Sequence, residues 1–366
     1  MQAGVLVPNT YRSARALTAI GVMEMMQGKV TPRSLFDADL GQVSVQAALR
    51  IAREADELGL DFISVSEHHY APLLTSPNAA LLAAALTQVV KRAKIAWLGP
   101  IVSINNPVRI AEEIAMLDQL TGGGRVMVYL LKGTPNEHMY YGYSVEEARA
   151  RGQEASLLIK KALTESKQFA WEGKFFHFPA ISVWPGATTK PHPLLYTSGS
   201  QGETIGFAAR NQFGIALVGS LEYVKDCAEH YRSQCEEAGW TPSSEHILVR
   251  GVCAIGESDE QAEEIREKML PHPEQAIMYA EAVGTANPYA MHQQAPKQAG
   301  APPPFFPVLL NGSVSTVLEQ AREFARAGVG VMDLVLDFGG LSIDEILANL
   351  RRLGNDVLPT LHTFTR

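Results

Sequence analysis

The chain has 366 residues, 46% hydrophobic and 19% charged, which suits one large α/β barrel or two ordinary domains and leaves too much apolar material for wholesale disorder. A formal net charge of -8 with scattered basic residues argues against a nucleic-acid partner, because phosphate binding needs clustered Lys and Arg. Cys227, Cys235 and Cys253 form no CxxC or metal spacing, and no apolar run is long enough for a signal peptide or a membrane span, so a soluble cytoplasmic protein is expected.

In chain order, short apolar β-branched runs alternate with helical patterns. "AGVLVP" predicts a first strand, and residues 44–58, with Val45, Leu49, Ala52, Ala55 and Leu58 at helical spacing, predict a helix. "DFISVS" reads as the second strand, and the helix after it is expected to open at Ser76 and Pro77, a cap followed by a proline whose missing N–H costs nothing there. "KIAWLGPIVS" is the third strand and residues 107–120 the third helix, ended by Gly122 to Gly124. "RVMVYLL" follows as the fourth strand, with a long helix expected from Ser144, where "SVEE" has capping-box spacing. Next come "LLYTSG", a helix near residues 203–211, "GIALVG" and the helix "LEYVKDCAEHYRSQCEEAG". "HILVRGVCAIG" and "VMDLVLDF" are the last strands, and capping-box pairs Ser258/Gln261 and Ser342/Glu345 start the helices after them.

Eight strand-like runs, each followed by a helical pattern, give a parallel sheet with right-handed crossovers that closes as an α/β fold of the (β/α)8 TIM barrel type. No GxGxxG follows the first strand, which tells against a doubly wound dinucleotide-binding sheet. Residues 1–366 then form a single domain. Two segments break the rhythm: residues 21–43 after the first strand, and residues 271–312, rich in Pro, Gln and Ala, between the seventh and eighth strands. Loops of that length are expected to be lids or insertions.

In such a barrel the chemistry lies at the strands' carboxyl ends. Glu67, His68 and His69 follow the second strand; Lys132, His138, Tyr140, Tyr141 and Tyr143 follow the fourth. "YTSGSQGET" after the fifth is a hydroxyl-rich loop entering a helix, which suits either an anion or a plain N-cap. Asn105, Asn106 and Arg109 read as a cap and first turn around Pro107. The histidines are mostly isolated and there is no HExxH, so no metal site is expected.

The segments "SEHHYAP", "GPIVSINNPVRIAEEIAMLDQLTGGGRVMVYLLKGTPNEHMYYGY" and "TSGSQGETIGFAAR", in this order and spacing, resemble the bacterial luciferase-like flavin monooxygenases. The resemblance covers about residues 1–270 and 311–360. It implies a flavin at the barrel mouth, with His68 beside the reacting edge as acid/base group and Glu67 orienting or tuning it. Leu98 and Gly99 match the end of the third strand, where a backbone bulge or a non-proline cis peptide supports the ring. Ser200, Gln201 and Thr204 match the loop that holds the flavin phosphate, and Lys132 stands where many relatives have an arginine, which makes it a point charge in place of a planar fork. His138 and Tyr141 are expected at the substrate.

The implied activity is that of a two-component monooxygenase. It would take reduced FMN (FMNH2) from a separate flavin reductase and use O2, through a hydroperoxyflavin, to oxidise a small apolar organic substrate, as a homodimer. The alternatives are a deazaflavin-dependent hydride-transferring oxidoreductase on the same barrel and a non-catalytic flavin-binding partner subunit.

Overall fold

The computed structural model describes residues 1–7, 11, 33–69, 76–199, 202–269 and 308–364. Ser200, Gln201, residues 21–32 of the first expected insertion and residues 271–307 of the second lie outside the described residues.

The strands are β1 (Gln2–Leu6), β2 (Phe62–Val65), β3 (Lys94–Trp97), β4 (Val126–Tyr129), β5 (Phe169–Glu172), β6 (His177–Ile181), β7 (Leu194–Ser198), β8 (Gly214–Leu217), β9 (Ile247–Ile255), β10 (Val308–Gly312) and β11 (Val331–Val335). Eight of them close a parallel ring in the order β1, β2, β3, β4, β7, β8, β9, β11 and back to β1. These are the eight strands expected from the sequence, in chain order, and the fold is a (β/α)8 barrel. Each ring strand is buried on both faces, which is why its sequence reads as a nearly continuous apolar run.

Two strand features escape the alternation. β5 and β6 form an antiparallel hairpin between the fourth and fifth ring strands, tied down by the Glu154 carboxylate, which accepts from the N–H groups of Lys174, Phe175 and Phe176. β10 occupies the far end of the stretch expected to be an insertion. It pairs with Val252–Ile255 because β9 is nine residues long and β11 covers it only from Leu248 to Val252.

The main helices are α1 (Ala38–Glu57), α2 (Ala79–Val89), α3 (Pro107–Thr121), α4 (Pro135–Tyr140), α5 (Ala148–Thr164), α6 (Gly202–Arg210), α7 (Leu221–Glu237), α8 (Asp259–Met269), α9 (Val314–Arg326) and α10 (Ile343–Arg352), with a short last helix at Leu358–Leu361. Capping decides several boundaries. α1 starts six residues before the expected Ser44, inside the stretch read as a loop, because the Asp37 side chain accepts from the N–H groups of Asp39 and Leu40. α2 is capped by Asn78, while the Ser76 hydroxyl donates to Ser66 O instead. Ser144 makes no capping box, and α5 begins only at Ala148. The Ser342/Glu345 box does form, in both directions.

Side chains alternate in and out along each ring strand. An apolar layer of Phe62, Ala96, Leu98, Met127, Tyr196, Ala216, Leu248 and Val331 fills the barrel axis. Two residues further along their strands, Ser64, Tyr129, Ser198, Arg250 and Asp333 occupy the next inward positions, where the interior turns polar towards the mouth.

Candidate active site

At the strands' carboxyl ends a cavity of about 280 Å³ opens between β2, β4, β7 and the helices α5 and α6. His68, Lys132, Arg149 and Thr204 carry its polar chemistry, and Ile101, Val102, Leu130, Leu131 and Phe207 supply apolar wall. The sequence-expected residues His68, Glu67, Lys132 and Thr204 thus meet at one cavity, although their order along the chain spans most of the first 204 residues.

His68 does not pair with Glu67. Its Nδ1 lies 3.1 Å from Glu137 Oε1, on the first turn of α4. Glu137 is 3% exposed, and its Oε2 accepts from the Thr134 N–H at 2.7 Å and the Thr134 hydroxyl at 3.0 Å. Burial pushes the Glu137 carboxyl up, but His68 and the two Thr134 donors outweigh it and hold the group below its ordinary value. An ionised carboxylate can only accept, so His68 Nδ1 carries the proton and Nε2 is the ring atom left for a ligand.

Glu67 points the other way. Its Oε1 lies 3.1 Å from His69 Nε2 and 3.2 Å from Asn105 Nδ2, and the Tyr141 hydroxyl lies 2.9 Å from His69 Nδ1. The carboxylate in contact with His68 is therefore Glu137, and not Glu67 as expected. Beyond the end of β2 at Val65 the two neighbours diverge, Glu67 to His69 and Asn105 and His68 to Glu137. His69, Tyr141, Asn105 and Trp97 line a second cavity of about 370 Å³ on the far side of Glu67. Tyr141, expected at the substrate, belongs to that second space.

His138 is likewise not a cavity residue. It is 1% exposed, with Nδ1 2.7 Å from Thr134 O and Nε2 2.7 Å from Ser103 Oγ, and burial holds the imidazole below its ordinary range. Since Ser103 Oγ also lies 2.5 Å from Lys132 O, His138 braces the loop that presents Lys132. Gly133, with φ of 85°, lets that loop pass Ile101, whose Cγ2 would lie 2.5 Å from any Cβ there.

Two cations, Lys132 and Arg149, line one end of the cavity. Partial enclosure, and then the neighbouring Arg149 charge, hold the Lys132 ammonium below its ordinary value. Arg149, on the first turn of α5, pairs with Glu203 at the start of α6 at 2.5 Å. An anion placed between Lys132 and Arg149 would relieve their mutual repulsion. Thr204 lies on the first turn of α6, where the helix dipole adds to the same field.

The third strand keeps a regular register with the second up to Trp97; beyond it the Leu98 N–H lies 2.9 Å from Val65 O and 3.0 Å from Ala96 O, and Gly99 has φ of 136°. No non-proline cis peptide occurs among the described residues. Leu98 itself is fully buried in the barrel's apolar layer, and any Cβ at Gly99 would collide with Leu131. Both residues therefore sit behind the cavity wall and shape it through the backbone.

One orphaned atom tests whether a flavin fits. Thr197 Oγ1 is buried without a partner among the described residues, and Thr197 lines the cavity. A chain of hydroxyls running from the barrel mouth towards Lys132 and Arg149, as in the ribityl phosphate arm of FMN, would satisfy it. The residues present fit the group.

Glu137 and Arg149 went unnoticed in the sequence. The first stood beside a histidine that drew attention to itself, and the second sits in a helix with no motif around it. Among the described residues no helix is long and apolar enough to cross a membrane, and no group of His, Cys, Asp and Glu is placed to hold a metal.

The sequence profile of the luciferase-like monooxygenases matches residues 25–330. The chain is 22% identical over 348 residues to the oxygenase component of the flavin-dependent trigonelline monooxygenase of Acinetobacter baylyi, covering 92% of this chain and 93% of that one. It is 24% identical over 233 residues to the alkanal monooxygenase alpha chain of Photobacterium leiognathi, covering 63% and 65%. The chain spans little more than half the length of some other curated relatives it matches. The oxygenating constituent of the 3,6-diketocamphane monooxygenase of Pseudomonas putida, in complex with FMN, superposes with a TM-score of 0.70 at 19% identity over 98% of each chain. An F420-dependent secondary alcohol dehydrogenase superposes with a TM-score of 0.66 at 14% identity over 98% of each chain.

Proposed function

This chain belongs to the luciferase-like monooxygenase family, and from that premise we propose that it is the oxygenase component of a two-component flavin-dependent monooxygenase. Reduced FMN would arrive from a separate reductase, one atom of O2 would enter a small, largely apolar organic substrate, and the other would leave as water. When bound, the reduced flavin supplies the two electrons this balance requires.

The chain's own contribution follows from the site. Lys132, Arg149 and Thr204 hold the phosphate, with Thr197 on the arm. His68 Nε2 accepts and returns a proton in the cavity, and Glu137 keeps the opposite ring nitrogen protonated so that Nε2 is poised for it. Ile101, Val102, Leu130, Leu131 and Phe207 keep water away from the reacting centre. The observation that carries the reading is that the His68–Glu137 pair and the Lys132–Arg149 cations open on the same cavity, as a cofactor with a phosphate at one end and a reactive ring at the other needs.

We also propose a homodimer formed through α2 and α3, which leave Leu81 72%, Met116 54% and Leu120 51% exposed. The three cysteines are all free and buried, which suits the cytoplasm.

The test is anaerobic titration of the purified protein with reduced FMN and, in parallel, with a reduced deazaflavin, followed by mixing with oxygen. Tighter binding of reduced FMN and an oxygen-dependent transient in its absorbance are expected. Preference for the deazaflavin with no response to oxygen would overturn the reading in favour of hydride transfer.

A further inference from the structure

The two cavities share one wall residue among the described residues, Glu67. Its carboxylate ends a chain of three side chains. The Tyr141 hydroxyl lies 2.9 Å from His69 Nδ1, and His69 Nε2 lies 3.1 Å from Glu67 Oε1. The members grade from surface to interior: Tyr141 is 41% exposed, and the His69 and Glu67 side chains are 8% and 7% exposed. The His69 and Tyr141 rings also pack edge to face, with centroids 4.8 Å apart, which holds the outer pair together.

Asn105 gives the chain its direction. Its Nδ2 donates to Ile101 O at 3.0 Å and to Glu67 Oε1 at 3.2 Å. A backbone carbonyl can only accept, so the amide nitrogen is the atom facing both, and Glu67 Oε1 is an acceptor. His69 Nε2, which faces the same oxygen, then carries the ring proton of the neutral imidazole. Nδ1 accepts, and the Tyr141 hydroxyl donates to it. Each donated hydrogen points inward, from the exposed phenol to the buried carboxylate. Both donors use Oε1, which leaves Oε2 for exchange with the cavity. The other charged groups lining the second cavity, Arg109 and Glu113, pair with each other at 2.9 Å, and on the flavin side His68 is paired with Glu137.

The proposed reaction needs a proton from outside. Forming water from one atom of O2 takes two protons, and a reduced flavin bound as its anion brings one of them. Without substrate the balance is the same: reduced-flavin anion, O2 and one proton give oxidised flavin and hydrogen peroxide. His68 returns the proton it accepts, so it makes no net contribution. We propose that Tyr141, His69 and Glu67 form a proton relay that brings this proton to the flavin cavity, once per turnover. As solvent protonates the Tyr141 oxygen, its own proton passes to Nδ1, the Nε2 proton passes to Oε1, and the Glu67 carboxyl releases a proton from Oε2 into the cavity. Four bonds to hydrogen break and four form, and the ring regains its first tautomer by exchange with solvent. The relay rests on the monooxygenase reading for its demand for a proton, while the direction of the chain does not.

The experiment uses the full chain in two forms. In the FMN-free chain, nitrogen NMR of the histidine rings should show His69 protonated at Nε2 and bare at Nδ1. In the chain loaded with reduced FMN and mixed with oxygen, without substrate, the return of oxidised-flavin absorbance is followed in H2O and D2O. Glu67→Gln keeps an oxygen for His69 and Asn105 but has no carboxyl to pass a proton. It should slow that return about 100-fold, the lower end of what positioned proton transfer contributes, and make it more sensitive to D2O than the wild type. His69→Ala should be slowed likewise and recover with added imidazole, for which the second cavity of about 370 Å³ has room. The double variant of His69→Ala with Glu67→Gln should not recover, although imidazole fills the same space.

A Glu67→Gln rate within about threefold of wild type, an unchanged response to D2O, recovery of the double variant, or a His69 ring protonated at Nδ1 would each overturn the relay. Where His69→Ala fails to fold, Glu67→Gln and the ring tautomer decide. A wild type that reacts with oxygen beside an equally fast Glu67→Gln removes the relay and leaves the monooxygenase reading standing. A wild type whose bound reduced FMN ignores oxygen removes that reading, and the relay falls with it.

Discussion

Replacing Glu137 with Gln isolates the tautomer control of His68. The amide oxygen would be retained by the two Thr134 donors at 2.7 Å and 3.0 Å, which need an acceptor, and so the NH2 group would face His68 Nδ1. That nitrogen would become the acceptor and the ring proton would move to Nε2, removing the base from the cavity. A hydrogen bond to a charged group is worth roughly 1.5–3 kcal/mol, and at about 1.4 kcal/mol per factor of ten this is a loss of about 10- to 150-fold in coupled turnover. Screening reduces this little, because the His68 and Glu137 side chains are 16% and 4% exposed. The assay is product formed against hydrogen peroxide released, with reductase-supplied reduced FMN, beside the FMN dissociation constant. Expected are fewer coupled turnovers, more peroxide, and an FMN affinity within about threefold of wild type, as Glu137 is not part of the cation end. Coupled turnover within about threefold of wild type would refute the reasoning. The acid side has a defined sign: because the folded state holds Glu137 below its ordinary 4.5, the stability it contributes is complete above that value and is lost as the pH falls through the lowered one.

Lys132→Ala and Arg149→Ala should each weaken FMN by about tenfold while leaving riboflavin nearly unchanged, since the difference between those ligands is the phosphate; equal losses for both would take these residues away from the phosphate. Asp56→Ala should destabilise the fold by about 2–4 kcal/mol in a denaturant titration, because Asp56 is 5% exposed and its carboxylate accepts from the N–H groups of Lys91, Arg92 and Ala93. Burial pushes Asp56 up but these bonds and the Arg92 charge hold it below its ordinary 3.8, so the same stability should fade as the pH drops below that value; a change under about 0.5 kcal/mol would refute the role.

The barrel was legible in the sequence because it is a local pattern repeated. Strands buried on both faces must be apolar, helices must show a stripe, and caps such as Asn106 before Pro107 and Ser342 with Glu345 mark their own boundaries. The family segments placed His68, Lys132 and Thr204 at one mouth for the same reason: each lies at a strand's end or just inside the next helix, and the closed ring brings those ends together. The hairpin β5–β6 and the added strand β10 were missed, since a short strand that packs on a neighbour's overhang has no periodicity of its own.

Partnerships between side chains were another matter. Adjacency along the chain suggested that Glu67 serves His68, but past the end of the second strand the two side chains diverge, so Glu67 meets His69 and the carboxylate beside His68 comes from a helix 69 residues away. His138 looked like a site residue by its position after β4, yet the packing of Ser103 against it turned it into a brace. Arg250 gave no signal at all within its apolar strand, and only closure of the barrel set it against Asp333 with one donor left over. Composition and periodicity determine which residues reach the mouth, because they act over a few residues; which of them touch is decided by register between strands that meet only when the ring closes.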